Sequence, residues 1–596
     1  MNDVAAPSFD KNEISRVPGY LDASPVPVFH WRHRPRADHC RDITVIICSP
    51  MGFEYTHSHR TLKYLADRLA ESGFPAFRFD FHGVGDSPGD ELASNNLQLW
   101  EGNLCTVIDT AKAAYPENKV CLLGVRFGAT LACLATSSRA VDYLVLWEPV
   151  IKGRQYVREM TALSRFSADT DDQKLSYIES AGFLMSGDTA EQIKKVNLTG
   201  QPIDVSRGVL YLNRNDVSAD TVLVDQLRDS GIDVTQMDDA GYAGMMAEPQ
   251  DTVIPEATIA GIIDWLLQCS QQVNSQLHPV DQERDSVRFD MDGESLLALT
   301  ETCCWYDENK QLFGILCSPA ERQPDKRQAV LLLNSGSVHH VGPNRVYTHL
   351  ARKLASSGVS CLRIDIEGLG DSCQLDSPNK NHPYQRNAVS NALAAVRFLC
   401  DSNVADEIIV AGLCSGAYAA FHAGREISRQ QWPIKEVVLI NPLTFYWQDG
   451  MSLDIPSSYQ TVKDSMQYSQ SVRSLESWKK LLSGKASLGY IFKFVFRVIF
   501  KRIKDIARSC MEICFGVRSR LANDLLQIQK KGVRINFVFS STDPGLNIVR
   551  TEAGRVFKKG LMSNAVDLKV IEGADHTFSK LSKRELLYQC LTDKFS

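Results

Sequence analysis

The sequence lacks three features that would assign it to a specialised class of protein. It has no CxxC pair, and its 16 cysteines are scattered over 596 residues, which is typical of a reducing compartment and not of a disulfide scaffold. It has no run of about 18 apolar residues, as a membrane span requires. Its first 20 residues contain acids and prolines where a signal peptide has an apolar core. We therefore expect a cytoplasmic protein.

The chain also lacks an excess of basic charge. Its formal net charge of −6 gives no basis for nucleic-acid binding. It contains no nucleotide-binding loop and no metal-ligand spacing, so we expect neither a cofactor nor a metal. What it does have is length: a chain of 596 residues that is 44% hydrophobic should form more than one globular domain.

An internal repeat organises the chain. Residues 59–87 ("HRTLKYLADRLAESGFPAFRFDFHGVGDS") align without gaps to residues 344–372, and 13 of the 29 positions are identical. Each copy predicts an amphipathic helix, a glycine turn, a buried strand and a GxGDS loop. An apolar strand precedes each copy, at 43–52 and 329–337. A strand–turn–helix follows each copy, and these two segments are 119–135 and 407–424.

Alternating strands and helices predict a mostly parallel sheet with helices on both faces in each half. We place the domains at residues 20–275 and 291–596, with a polar linker at 276–290. An insertion at 446–528 predicts a helical cap on the second domain. Within it, residues 490–509 interleave apolar and basic side chains. The buried face of a cap helix is the favoured interpretation, and contact with a membrane surface or an acidic carrier protein is the alternative.

These parts, together with "GADHTF" near the C-terminus, resemble the α/β-hydrolase superfamily in their order along the chain. The resemblance covers most of both halves and implies two tandem α/β-hydrolase domains. The first half is most similar to the serine-aminopeptidase-type hydrolases that are encoded with bacterial exosortase systems.

The stretch "GLCSG" in the second half has the spacing of a nucleophile elbow, a sharp turn between a strand and a helix. Residues two before and two after the nucleophile pack closely, so glycine is favoured at both places. With Cys414 as nucleophile these residues are Gly412 and Gly416. With Ser415 as nucleophile, a leucine would occupy the crowded position. The spacing therefore predicts Cys414 as the nucleophile.

The order of catalytic residues in this superfamily places the acid and then the base after the nucleophile. His576, in the loop "GADHTF", is the predicted base, and Asp543, at the end of an apolar strand, is the predicted acid. Asp543 also begins an Asp-Pro-Gly turn. Glu552 is the weaker alternative acid. We interpret His422, inside the helix after the elbow, and Asp575 as structural.

Two backbone amides are expected to form an oxyanion hole. One is the amide of Ser415, which follows the nucleophile. The other is the amide of Ser337 in "NSGSVHH", chosen by alignment to the superfamily's loop after an early strand. His339 and His340 border that loop, and we interpret them as solvated loop residues, with substrate contact as the alternative.

The first half keeps the elbow glycines, Gly124 and Gly128, but has Arg126 at the nucleophile position. A guanidinium does not form an acyl intermediate. No histidine occurs between residues 82 and 278, so this half also lacks a base, and Asp216 is interpreted as a leftover acid. We therefore predict a pseudo-hydrolase domain in which Arg126 either binds an anion or pairs with a local carboxylate.

The GxCxG elbow is similar to those of polyhydroxyalkanoate synthases, dienelactone hydrolases and acyltransferases that move aminoacyl groups between carrier proteins. This resemblance implies acyl transfer or thioester hydrolysis through an acyl-cysteine intermediate. The substrate would be a small acyl ester or thioester, free or on an acyl or peptidyl carrier protein. Two alternatives stay open: a general esterase or peptidase-like hydrolase with the same triad, and a non-catalytic binding protein.

Overall fold

The structure is a computed structural model. It describes residues 14–23, 25–166, 176–214, 221–273, 278, 283–290, 298–321, 327–373, 381–427, 432–448, 450–451 and 518–595. Most of the predicted cap, including residues 490–509, and the predicted leftover acid Asp216 lie outside these ranges. The chain divides into two compact units, Met1–Gln385 with Thr577–Ser596, and Arg386–His576.

Residues 14–284 of the first unit form a nine-stranded sheet. The strands of this half are β1 (Ser15–Leu21), β2 (Val28–Arg34), β3 (Cys40–Arg41), β4 (Ile43–Cys48), β5 (Ala76–Phe79), β6 (Lys119–Val125), β7 (Tyr143–Trp147), β8 (Tyr177–Ser180), β9 (Phe183–Ser186), β10 (Gly208–Arg214), β11 (Val234–Asp239), β12 (Gln272–Val273) and β13 (Glu283–Arg284). In the nine-stranded sheet they lie in the order β11-β10-β7-β6-β4-β5-β2-β1-β13. The five neighbouring pairs from β11 to β5 are parallel, and β5, β2, β1 and β13 form an antiparallel edge. Strands β3 and β12 pair separately, as do β8 and β9.

Helices cover both faces of this sheet. Side chains alternate between the two faces along each strand, so each strand contributes to two cores. Ile46 and Leu122 belong to one core, together with residues of the second to sixth helices. Val45 and Leu123 belong to the other core, together with residues of the first, seventh and eighth helices. The helices are α1 (Phe53–Glu71), α2 (Asn96–Ala114), α3 (Phe127–Ala135), α4 (Gly153–Phe166), α5 (Gly187–Ile193), α6 (Val222–Asp229), α7 (Tyr242–Met245) and α8 (Glu256–Cys269).

The first unit also contains the beginning of the second half of the chain. Its described strands are β14 (Ser286–Phe289), β15 (Leu299–Trp305), β16 (Phe313–Pro319), β17 (Gln328–Leu333) and β18 (Ser360–Ile364). They lie in the order β14-β15-β16-β18-β17; the pair β17 and β18 is parallel, and the other three pairs are antiparallel. Helix α9 (Val346–Ser356) precedes β18 as α1 precedes β5. The predicted repeat of helix, turn, strand and GxGDS loop is confirmed.

The described strands of the second unit are β19 (Glu407–Leu413), β20 (Ile434–Ile440), β21 (Arg534–Ser540) and β22 (Val566–Ile571). They are parallel and lie in the order β19-β20-β21-β22. The helices α10 (Ala388–Asp401), α11 (Ser415–Ile427), α12 (Arg520–Lys530) and α13 (Gly545–Met562) alternate with them along the chain. The C-terminal helix α14 (Leu581–Phe595) belongs to the first unit.

The predicted fold class, tandem α/β domains built on mostly parallel sheets, is confirmed by these elements. Strands β20 and β21 contain near-continuous apolar runs, as expected of strands buried on both faces. Among the described residues, no helix combines the length and the apolar character needed to cross a bilayer.

Inside the first unit the two GxGDS loops bind each other's repeat reciprocally. Arg78 of the first copy donates to Asp371 at 2.6 Å, and Arg363 of the second copy donates to Asp86 at 2.6 Å. All four side chains are less than one-tenth exposed. Because an unpaired buried charge is costly, these two ion pairs fix the two copies against each other.

Candidate active site

The predicted elbow of the second half is a strand–turn–helix with Cys414 at the turn. Strand β19 ends at Leu413 and helix α11 begins at Ser415. Cys414 has a φ of 57°, in the left-handed region that costs a non-glycine residue energy and is concentrated at functional sites. Its amide donates to the Ile440 carbonyl at 2.9 Å, and its side chain is half-buried.

Gly412 is required by the closeness of this turn. A Cβ built there would lie 2.3 Å from the Gly416 carbonyl carbon, which is far inside van der Waals contact. This crowding favours Cys414 over Ser415 as the residue at the tip of the turn, because a leucine in place of Gly412 would not fit.

His576 and Asp543 lie together in the same unit as Cys414. His576 Nδ1 and Asp543 Oδ2 are 2.6 Å apart. Asp543 comes three residues after β21, and its other oxygen accepts the Gly545 amide at 2.8 Å. The aspartate therefore orders the Asp-Pro-Gly turn and bonds the imidazole at once, so the two interpretations of Asp543 are compatible.

The environment of His576 favours its charged form. Burial lowers the pKa of His576, but the charge of Cys414 and the hydrogen bond with Asp543 outweigh it and raise the pKa to about 10. Its Nε2 is buried and has no hydrogen-bond partner of ordinary geometry within the described parts of the chain. Since Nδ1 is held by Asp543, Nε2 is the atom left for proton transfer.

Asn441 is a site residue that the sequence analysis missed. It follows β20 with a φ of 45° and is fully buried. Its side chain donates to the His576 carbonyl at 2.7 Å and accepts the Ser540 amide at 2.8 Å. It therefore ties the histidine loop to the end of β21. The signal available in the sequence was an Asn-Pro pair directly after an apolar strand.

The other predicted residues of the second unit have the following surroundings. Ser415 is the first residue of α11, at the helix end where backbone amides point outward. His422 bonds the Phe445 carbonyl at 2.8 Å through Nε2, which fits a structural role. The Glu552 carbonyl accepts a bond from Ser519, and Asp575 is exposed.

Ser337 belongs to the first unit, in the loop after β17. Its hydroxyl donates to the Asn381 carbonyl at 2.7 Å, and the preceding Gly336 has a φ of 61°. The role of its amide in an oxyanion hole stays a prediction.

The interpretation of His339 and His340 as solvated loop residues is wrong. Both are buried, at 2% and 1% exposure. His340 bonds Asp365 through Nδ1 at 2.7 Å and Asp86 through Nε2 at 2.6 Å, and the His339 ring stacks on His59 at 3.8 Å. They are part of the contact between the two repeats, which residue type alone does not reveal.

The first half has the same elbow with an arginine in it. Arg126 has φ 52° and ψ −120°, and its amide donates to the Trp147 carbonyl at 3.0 Å, as Cys414 does to Ile440. A Cβ at Gly128 would lie 2.2 Å from the Cys48 carbonyl oxygen. The turn has kept the strained geometry of a nucleophile elbow although its side chain is not a nucleophile.

The Arg126 guanidinium is paired on both sides with carboxylates. It donates to Glu54 at 2.7 Å and to Glu159 at 2.8 Å. Burial raises the pKa of Glu54, and the charge of Arg126 acts against that rise. This arrangement matches the alternative of an arginine paired with local carboxylates, and anion binding at Arg126 stays a prediction.

Comparison with known proteins gives a family match to the first half. A family model described as serine aminopeptidase, S33, matches residues 42–178. The matched segment contains Arg126 and covers less than half of the chain. The match, together with the fold, supports a protein of the hydrolase type. A search of curated protein sequences found no significant match.

Solved structures with a similar arrangement are α/β hydrolases. Est1E from Butyrivibrio proteoclasticus, with ferulic acid bound, has a TM-score of 0.32 and 14% identity over 42% of this chain and 98% of its own. XC6422 from Xanthomonas campestris, described as a serine hydrolase without a lid, has a TM-score of 0.28 and 16% identity over 45% of this chain and 100% of its own. Mouse alpha/beta hydrolase domain-containing protein 10 has a TM-score of 0.31 and 18% identity over 42% of this chain and 99% of its own.

Proposed function

We propose that the second half is a cysteine-dependent acyl-transferring or thioester-cleaving enzyme with Cys414 as nucleophile, His576 as base and Asp543 as the acid that orients it. The observation that supports this most directly is the strained elbow at Cys414, with φ 57°, in the unit that also holds the 2.6 Å bond between His576 and Asp543. A thiol on an elbow with such a pair is the arrangement that covalent acyl chemistry requires.

The first step forms the acyl-enzyme. His576 accepts the thiol proton, and the Cys414 thiolate attacks the acyl carbonyl carbon, so that an S–C bond forms and the carbonyl π pair moves to oxygen. The raised pKa of His576 makes its imidazole a stronger base toward the thiol proton. The tetrahedral intermediate collapses by breaking the bond to the leaving group, which takes the proton from His576 Nε2.

The second step releases the acyl group. An acceptor amine, alcohol, thiol or water gives a proton to His576 and attacks the thioester carbon, and Cys414 leaves as thiolate. The Ser415 amide, at the start of α11, and the Ser337 amide are proposed to hold the oxyanion in both steps. The acyl donor is a small ester or thioester, either free or attached to an acyl or peptidyl carrier protein.

Thioesters are the favoured donors because the attacking and leaving groups are then both thiolates of similar basicity, and exchange is nearly balanced in energy. The family match to serine aminopeptidases favours a second candidate, hydrolysis of an ester or amide with water as acceptor. The two candidates share the acyl-cysteine and differ in the second step, so the fate of the acyl group distinguishes them.

The test is intact-protein mass spectrometry of the full chain after incubation with a panel of acyl thioesters. We expect a mass increase equal to one acyl group in the wild type and in Ser415→Ala, and no adduct in Cys414→Ala. Addition of hydroxylamine as an amine acceptor should then return the mass to that of the free protein. Hydrolysis without transfer would show as acid release that an added amine does not divert.

Ser415→Ala is the matched control for Cys414→Ala, since the two variants change neighbouring residues of one turn. An adduct that persists in Cys414→Ala would contradict the proposed nucleophile. The absence of any adduct with every donor, together with alkylation of Cys414 at the rate of an ordinary thiol, would favour the non-catalytic alternative.

A further inference from the structure

A cavity in the first half is lined by residues of the first compact unit, and the proposed mechanism does not use it. The empty space within it, counted together with the part that opens to solvent, is about 760 Å³. It lies beyond the carboxyl ends of β4 and β5, where α/β sheets bind ligands. Its walls come from the loops after these strands, from α4 and from the β8–β9 hairpin.

The lining of this cavity is mainly apolar. Met51, Trp100, Tyr156 and Met160 line it together with the hairpin residues Phe183–Met185. Val341 and Arg345, from the second half of the chain but the same compact unit, complete the wall. Such a surface excludes water from a ligand without attracting a charged one.

The charged groups that reach the cavity are already neutralised by each other. Arg345 is buried and donates to the carbonyls of Gly83, Gly85 and Ser87 at 2.6–2.8 Å. Its remaining partner, at 3.4 Å, is Glu91. Burial, with the nearby charge of Arg345, lowers the pKa of His82 to about 4, so this ring is neutral at pH 7.

Two neutral polar groups in the wall are unpartnered. His82 Nδ1 and Ser180 Oγ are buried, and neither has a hydrogen-bond partner among the residues that the structure describes. Each residue is only 5% exposed, and both line the cavity. The His82 backbone is fixed from behind by Trp100 and Asn103. A buried hydroxyl and a buried ring nitrogen without partners are costly, and a ligand oxygen would satisfy them.

We propose that this cavity is a non-catalytic binding site for a neutral, mainly apolar carbonyl compound, such as an amide or ester with an alkyl chain. Ser180 Oγ donates to the carbonyl oxygen, and His82 bonds the polar head through Nδ1. The ligand is bound without being cleaved, because Arg126 replaces the nucleophile in this half and is held by Glu54 and Glu159. The proposal does not depend on the role of Cys414.

The test uses the full chain carrying Cys414→Ala, so that no acyl-enzyme can form. The probe is N-phenyl-1-naphthylamine, a neutral apolar fluorophore, displaced by octanamide, octanoate or octylammonium. We expect saturable probe binding, and displacement by octanamide at concentrations at least about tenfold lower than by either ion, because the site has no free charge to pair with them.

Variants then locate the binding. Met160→Trp, which fills the cavity, should weaken probe binding by at least about tenfold. Ser180→Ala should weaken octanamide by about three- to tenfold, the loss of one hydrogen bond. Ser137→Ala, at an exposed serine outside the cavity, should change neither.

Thermal unfolding of each variant checks its fold. If Met160→Trp does not fold, Ser180→Ala alone tests whether octanamide binds in this cavity. Equal displacement by octanamide and octanoate, or unchanged octanamide binding in Ser180→Ala, would overturn the proposal.

Discussion

One side chain separates the two elbows of this chain. Cys414 and Arg126 have nearly the same φ, 57° and 52°, and each donates its amide to the last residue of the next strand. The backbone is strained in the same way in both places. Of the two side chains only Cys414 carries a thiol, and its unit also contains the hydrogen-bonded pair His576 and Asp543. The proposed difference in chemistry between the two halves therefore depends on single residues.

His576 gives a prediction at this scale. The charge of Cys414 is one cause of its raised pKa, so Cys414→Ala should lower the pKa of His576 from about 10 toward its usual value. NMR titration of labelled histidines, with His576→Gln for assignment, measures this. His422 is the control, since burial lowers its pKa to about 4 and the substitution should not change it. An unchanged His576 titration would contradict the coupling.

The same shift predicts how pH affects stability. The folded pKa of His576 lies above the ordinary value of about 6.5, so its contribution is fully present below pH 6.5 and is lost as pH rises toward 10. The wild type should therefore exceed His576→Gln in thermal midpoint by more at pH 6 than at pH 10. If the difference in thermal midpoint between the wild type and His576→Gln increases with pH, the folded state does not stabilise the charged imidazole and the prediction is wrong.

At the scale of elements, the strand–turn–helix unit depends on the closeness of its two arms. A Cβ at Gly412 would meet backbone at 2.3 Å, and backbone cannot move aside as a side chain can. The same element of the first half has its own tight glycines, which is why the elbow could be identified twice from spacing alone.

Gly412→Ala should therefore damage the site. We expect a loss of stability of about 1–3 kcal/mol from overpacking and a fall of about 10²-fold in the rate of Cys414 acylation, because the thiol is displaced. Gly554→Ala in α13 is the matched control, since a Cβ there has no neighbour within 4 Å. Acylation kinetics and thermal unfolding measure both effects. If the two variants have equal stability and equal rates of Cys414 acylation, the turn can accept a Cβ at position 412 and the prediction is wrong.

At the scale of the whole molecule, the two copies of the repeat also contact each other. Asp86 and Asp371 occupy the same position of the two copies, and each is bound by the arginine of the other copy. Burial raises the pKa of Asp86, but the charges of His340 and Arg363 outweigh it and hold that pKa well below its usual range. Within the first unit, each copy of the repeat thus supplies a buried counter-ion to the other copy.

Neutralising either aspartate should weaken this contact. Asp86→Asn and Asp371→Asn should each cost about 3–5 kcal/mol, because each leaves a buried arginine without its full partner. Asp264→Asn, at an exposed helix position, should cost less than about 0.5 kcal/mol. Calorimetry and hydrogen exchange over residues 76–87 and 360–372 measure the change. If exchange rises in only the mutated copy, the two copies do not depend on each other.

Much of the fold and of the site could be predicted because the signals are local. The strands and helices around the elbows follow from apolar periodicity, and Cys414 follows from the crowding of a turn within five residues. His576 and Asp543 could be chosen from their order and from the strands before them. The Asn-Pro pair after β20 marks Asn441, but its role could not be predicted, because it bonds the His576 and Ser540 backbones, which are far from it in sequence. His339 and His340 were misread for the same reason.

The sequence by itself determined the two α/β halves, the positions of the elbows and the absence of a nucleophile in the first one, since these depend on spacing and residue type along a short stretch of chain. Only the tertiary structure decided which charges are buried together, what Arg126 is paired with and that a cavity with two unpartnered polar groups lies in the first half. Burial and pairing depend on which distant residues meet, and a residue's own identity does not contain that information.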